Sequence, residues 1–285
     1  MYRSILVFSL LLILLSGCAT LNQKNGATDL DAAPEPALSL VEVIKRGDEA
    51  ARSSDYDAAQ LNYALAVERD ANNVEALYKL AYIHKIKDSL DVAEPLLHHL
   101  LSIDSDNEQA QLLLADIFLQ MKKHDSAESV YKKILLVNVQ SAEALNGLGV
   151  ISDLRADHVV AQDYFSLALD IKPRSAKLTN NLGFSFYLEG KYVQAENSFH
   201  DALGHDSGYA RAWANLALLY SRTGRRSEAE AAFRKIVSDH QAANNLGYLG
   251  IIEGDRQAAV EHLTRAIDIS PVYYDRANQN LKLIQ

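Results

Sequence analysis

Residues 142–175 read AEALNGLGVISDLRADHVVAQDYFSLALDIKPRS. Leu145, Leu148-Gly149, Ala161, Phe165, Ala168 and Pro173 stand at offsets that recur before and after this stretch. It reads as helix A, a turn, helix B and a second turn. Residues 40–273 carry this hairpin seven times, as 40–73, 74–107, 108–141, 142–175, 176–209, 210–239 and 240–273. The pairs led by Leu148, Leu182 and Leu216 keep a 34-residue step, and Leu246-Gly247 then follows after 30. The sixth unit is therefore four residues short, which should disturb the stack between the sixth and seventh units.

Small residues have a physical role here. Gly or Ala at the eighth place of helix A and Ala at the twentieth place are expected where the two helices cross, because a larger side chain would push the axes beyond about 8–10 Å. No single hairpin buries both its faces, so the units are stable only as an array. A period of about 34 residues with this pattern resembles the tetratricopeptide repeat. The fold expected is all-α, a tetratricopeptide-repeat solenoid of about seven helical hairpins, with residues 274–285 as a capping helix. Pro95 lies a few residues into the second helix B, where proline suits only the first turn, so a late start or a kink is expected.

The chain has 285 residues, 48% hydrophobic and 23% charged, enough for a buried core. Its formal net charge of -9 argues against general nucleic-acid binding, since it has little with which to neutralise phosphates. The one cysteine, Cys18, leaves no intrachain disulfide and no cysteine metal cluster. It closes a short leader. Arg3 supplies positive charge, and the apolar run from Ile5 to Leu15 is too short to span a bilayer core of about 30 Å. Leu15-Ser16-Gly17-Cys18 then resembles a bacterial lipobox. That resemblance implies a signal peptide over 1–17, cleaved before Cys18, and a lipid thioether on Cys18. Residues 18–39 hold Asn25-Gly26, Pro34 and Pro36 and read as a flexible tether. Ala19 rather than Asp follows the cysteine, so the expected location is the periplasmic face of the outer membrane of a Gram-negative bacterium.

Catalytic and metal motifs are missing. There is no phosphate-cradling glycine loop, no Gly-x-Ser-x-Gly and no His-Glu-x-x-His. His98-His99 are adjacent and point about 100° apart on a helix, so they cannot share a metal. The chain reads as a non-enzymatic protein without a cofactor or metal. Arg222, Arg225 and Arg226 form a small basic cluster at the turn of the sixth unit.

In tetratricopeptide arrays helix A lines the concave face, at its second, fifth, sixth, ninth and twelfth places. These places give Tyr78 and Tyr82 in the second unit. From the fifth unit onward they give Asn180, Asn181, Phe184, Tyr187, Arg211, Asn215, Asn244, Asn245 and Tyr248. Asn181, Asn215 and Asn245 share one place in successive units, where amides suit the backbone of an extended peptide and neighbouring aromatics suit its side chains. Residues 176–273 are thus expected to be the binding half, with the first four units acting as a spacer from the lipid.

The lipobox, the tether and the C-terminal sequences Asn244-Asn245-Leu246-Gly247-Tyr248, Ala266-Ile267-Asp268-Ile269-Ser270-Pro271 and Tyr273-Tyr274-Asp275-Arg276-Ala277-Asn278-Gln279-Asn280-Leu281 together resemble the TadD family. These are the lipoproteins of tight-adherence (Tad/Flp) pilus assembly. The resemblance implies a role in building a pilus secretion channel, with a secretin or another pilus-assembly component as partner. A pilotin-like lipoprotein of type IV pilus biogenesis shares the same features, and a scaffold for cell-envelope enzymes such as peptidoglycan hydrolases is the reading from another class.

Overall fold

The computed structural model describes residues 38–270, 272 and 274–284. The leader, Cys18, the tether up to residue 37, Pro271 and Tyr273 lie outside the described residues. Among the described residues there are fifteen α-helices and no strand. They pair in chain order as α1 (Leu40–Arg52) with α2 (Tyr56–Arg69), α3 (Val74–Ile86) with α4 (Leu90–Ile103), α5 (Glu108–Gln120) with α6 (His124–Val137), and α7 (Ala142–Leu154) with α8 (His158–Ile171). Then come α9 (Ala176–Glu189) with α10 (Tyr192–His205), α11 (Ala210–Arg222) with α12 (Arg226–Phe233), α13 (Asp239–Glu253) with α14 (Arg256–Asp268), and α15 (Asp275–Lys282). Each hairpin packs on the next, which makes a solenoid of helical repeats.

Local sequence sets the helix ends. Asn73, Asn107, Ser141 and Ser175 cap α3, α5, α7 and α9, each side chain accepting a bond from the amide three residues on. Every A–B turn needs one residue in the left-handed region. Gly190, Gly224 and Gly254 supply it in the last three hairpins at no steric cost. Ser54, Asp88, Lys122 and Ala156 adopt it in the first four, with φ between 59° and 63°. Pro95 does not delay its helix. Like the other early B helices, α4 begins 34 residues after its predecessor, at Leu90, and carries Pro95 inside. The missing proline N–H leaves the Asp91 carbonyl without its helical donor.

At the crossing the eighth-place glycine lies under the residue at place twenty-four. A Cβ on Gly149 would stand 2.6 Å from the Phe165 ring, and one on Gly247 would stand 2.6 Å from Leu263. The alanines Ala59, Ala93, Ala127, Ala161, Ala195, Ala229 and Ala259 are all fully buried. In the last hairpin the alanine meets the eleventh place, where a Cβ on Gly250 would stand 2.9 Å from the Ala259 amide nitrogen.

The shortened sixth unit loses its residues from helix B. α12 has 8 residues where α2, α4, α6, α8 and α10 each have 14. Ser238 and Gln241 form a capping box that restarts the chain as α13. Glu230 of α12 still reaches Arg265 of α14 at 2.8 Å, spanning the gap. α15 follows the A-helix pattern. Counting from Leu281 as the seventh place, its Ala277 and Asn280 match Ala242 and Asn245 of α13, and it packs on α14 and α13.

Candidate protein-binding groove

The backbones of successive A helices from α3 to α15 pack side by side, which those of the B helices do not do. The A helices therefore line the inner, concave side. Side chains that project there fall into an N-terminal and a C-terminal group.

At the N-terminal end Tyr78 and Tyr82 are stacked with ring centroids 6.5 Å apart. With Asp48, Arg52, Tyr63 and Lys79 they line a recess of about 350 Å³. Its polar centre is already satisfied. Lys79 Nζ donates to Asp48 at 2.6 Å, and the Tyr63 hydroxyl donates to Asp48 at 2.7 Å. Burial opposes the charge on Asp48, but these two donors outweigh it and hold the carboxyl below the usual range.

The C-terminal group contains the asparagines, and the structure turns them toward each other. Asn181 donates to the Asn146 carbonyl at 2.7 Å, and Asn215 donates to the Asn180 carbonyl at 2.9 Å. Asn280 donates to the Asn244 carbonyl at 3.0 Å. In these three pairs the sixth-place amide bonds back to the fifth-place amide of the preceding A helix. Asn180 and Asn244 are only 3% exposed and offer nothing to a ligand, a correction to the groove expected from sequence. The cause is reach: neighbouring A helices stand close enough for amides to meet across them. Asn181, Asn215 and Asn245 stay half-buried. The Asn245 side-chain amide has no hydrogen bond among the described residues, because the position that would receive it is Ala214.

Beside the amides run the aromatics. Phe184 stacks on Tyr187 at 5.9 Å, and Tyr187 meets Tyr192 at 5.8 Å. Arg222 stands near the Tyr192 side chain. Val150, Leu154, Phe165, Phe184 and Leu188 line an apolar recess of about 150 Å³ between α7 and α9, with Asp153 and Asn181 at its edge. Tyr248 is 46% exposed and Arg211 is exposed. Arg225 and Arg226 are not free for a partner: Arg225 binds Glu196 and Glu228, and Arg226 binds Asp255.

One polar cluster has no counterpart in the sequence reading. The Ser185 hydroxyl donates to Asp153 at 2.7 Å, and the same carboxylate oxygen lies 2.9 Å from His158 Nδ1. Ser185 is fully buried, and its hydroxyl touches the His158 carbonyl, not the imidazole. The carboxylate sits between the other two groups, so nothing activates the hydroxyl, and the cluster pins α7, α8 and α9 together. Burial raises the Asp153 carboxyl above its usual value, against the pull of its hydrogen bonds. No motif could have flagged it, because Asp153 and Ser185 lie on different helices. Among the described residues no group of three or more His, Cys, Asp or Glu side chains is placed to hold a metal ion. No helix among them is long and apolar enough to cross a membrane.

A family model described as the tetratricopeptide repeat protein 21 C-terminal ARM domain matches residues 50–211. Two tetratricopeptide-repeat models match residues 186–246 and 240–273. The chain belongs to the tetratricopeptide-repeat family. No curated protein matches the sequence. Among solved structures this tetratricopeptide-repeat chain is similar to a tetratricopeptide repeat protein from Parabacteroides merdae, at 17% identity and a TM-score of 0.64, over 86% of this chain and 98% of that one. It is similar to Pseudomonas aeruginosa pilF at 16% identity and 0.57, over 79% and 97%. It is also similar to the human IFIT1 dimer with m7Gppp-AAAA at 16% identity and 0.66, over 87% and 63%. At these identities the likeness is one of fold.

Proposed function

We propose that this tetratricopeptide-repeat chain is a lipid-anchored adaptor that holds a segment of a partner protein in the concave groove of its C-terminal repeats. The observation that carries the reading is the apolar recess between α7 and α9, continued along the groove by Tyr248 and by Ile252, which is 65% exposed. Apolar surface gathered in a concave face marks a binding site. The lipobox ending in Cys18 supports a lipid anchor, and Ala19 supports retention at the periplasmic face of the outer membrane. Several acyl chains, at about 0.8 kcal/mol per buried methylene, would make that anchor stable. The resemblance to the TadD family supports service in Tad/Flp pilus assembly, with a secretin among the candidate partners.

A photocrosslinking residue at Tyr187 or Tyr248, used in the living cell, is expected to capture a pilus-assembly component. Crosslinks only from the B-helix side, for instance from Leu136, would overturn the groove reading. Radiolabelled fatty acid should enter the wild type and not Cys18→Ser; equal label in both would remove the anchor.

A further inference from the structure

The rim of the groove changes character along the chain. Counting from the Leu of each Leu-Gly or Leu-Ala pair as the seventh place, the second-place residues form a row across successive A helices. In the N-terminal half this row carries Glu75 and Glu143, and both are paired, with Lys79 and Lys172. From α9 onward it carries Lys177, Arg211, Gln241 and Arg276, so it is cationic except on α13. Lys177 stands near Glu143. Arg211 and Arg276 are exposed and have no carboxylate partner among the described residues.

In a chain with 37 acidic and 28 basic residues, these two exposed arginines share one rim of the groove. Several cations of the earlier hairpins have local carboxylates: Lys87 pairs with Asp57, Lys123 with Glu94, and Arg155 with Asp125 and Glu128. The groove floor changes in the same place. Its ninth-place row holds Asp48 and Asp116 early on, each bonded to a tyrosine and a lysine. From α7 onward it is apolar, through Phe184, Leu218 and Tyr248.

We infer that the groove from α9 to α15 takes an acidic segment of the partner protein, with carboxylates along Lys177, Arg211 and Arg276 and apolar side chains on Phe184, Leu218 and Tyr248. This rests on the groove being the binding surface. Packed helices stand about 8–10 Å apart, and a segment in the polyproline II conformation advances about 3.1 Å per residue with about three residues per turn. A carboxylate at every third residue therefore meets one cation row. The net charge of -9 disfavours nonspecific binding of such a segment elsewhere, which adds specificity to the attraction.

The test uses the full chain and fluorescein-labelled peptides of five Leu-Glu-Ser, five Leu-Lys-Ser or five Ser-Glu-Ser triplets, read by anisotropy. The Leu-Glu-Ser peptide should bind, and added salt should weaken it. Reversing two charges with Arg211→Glu and Arg276→Glu should weaken it at least about tenfold, while Lys133→Glu on α6 leaves it unchanged. Equal binding of the lysine peptide, equal binding of the peptide without leucines, or indifference to the double reversal would overturn the inference. If the lysine peptide binds and Tyr248→Ala abolishes that binding, the groove reading stands and only its acidic preference falls. If no peptide binds and Tyr248 gives no crosslink in the cell, both fall.

Discussion

The Phe165 ring lies directly over Gly149, so that a methyl group on residue 149 would sit 2.6 Å from Phe165 Cε1. The ring is 1% exposed, so it can make room only by leaving its packed position for the small recess it lines. Gly149→Ala should therefore destabilise the protein despite its better helix propensity, by about 1–3 kcal/mol from overpacking. Gly208→Ala, in an exposed turn with only the Asp206 carboxylate within contact at 3.4 Å, is the control and should change little. Urea unfolding of the two variants checks the pair. The same reasoning makes Ala161→Leu costly by a similar amount, since Ala161 is fully buried.

Ala156 takes a left-handed backbone, φ 63°, at the place where Gly190, Gly224 and Gly254 serve the later hairpins. A left-handed conformation costs an L-residue about 1–2 kcal/mol, and glycine offsets part of that relief by its greater freedom when unfolded. Ala156→Gly should raise stability by about 0.5–1 kcal/mol, and Gly254→Ala should lower it by about as much. Asp88→Gly should gain less, because aspartate tolerates this region better. Thermal denaturation orders the three.

Asn181→Ala removes a donor from the Asn146 carbonyl oxygen, whose side chain is buried. An orphaned buried acceptor costs about 1–3 kcal/mol. Removing both amides should cost less than the sum of the single changes. A double-mutant cycle with Asn146→Ala measures the coupling, and strict additivity would mean that the rung contributes nothing.

Asp153 and Asp48 should respond to pH with opposite signs. The Asp48 carboxyl is lowered, so its contribution is present above the usual carboxylate value and is lost as pH falls through its folded value, below about pH 3.9. The Asp153 carboxyl is raised by burial, so its contribution is present at low pH and is lost as pH rises through its folded value. Asp153→Asn should therefore melt higher than wild type at neutral pH, with the advantage fading in acid. Lys79→Met should lower the melting temperature at neutral pH and lose that effect below about pH 3.9. Melting curves across pH check both signs.

Much of the fold was legible because its markers are local. A Leu-Gly pair, an alanine twelve places on and a polar turn each specify backbone conformation or packing without reference to distant residues. The turn geometry was only half visible, since Ser54, Asp88, Lys122 and Ala156 adopt the left-handed region without the glycine that would announce it. The spacing of Leu216 and Leu246 shows that residues are missing but not which helix lost them; the structure places the loss in α12. Groove residues were legible as positions and not as roles. Asn180 and Tyr248 come from the same position rule, yet one is buried by the next repeat's amide and the other stands in solvent.

The amide rungs fix how far one A helix can slide along the next, since a shift of one residue would break them. They join α7 to α9, α9 to α11 and α13 to α15, and the rung between α11 and α13 is missing because Ala214 holds the receiving position. That junction also adjoins the shortened α12. Under tension along the array the give should concentrate there, like a soft joint in an otherwise braced rod. Restoring the rung with Ala214→Asn should stiffen it, and force spectroscopy would register the change as a higher first yielding force.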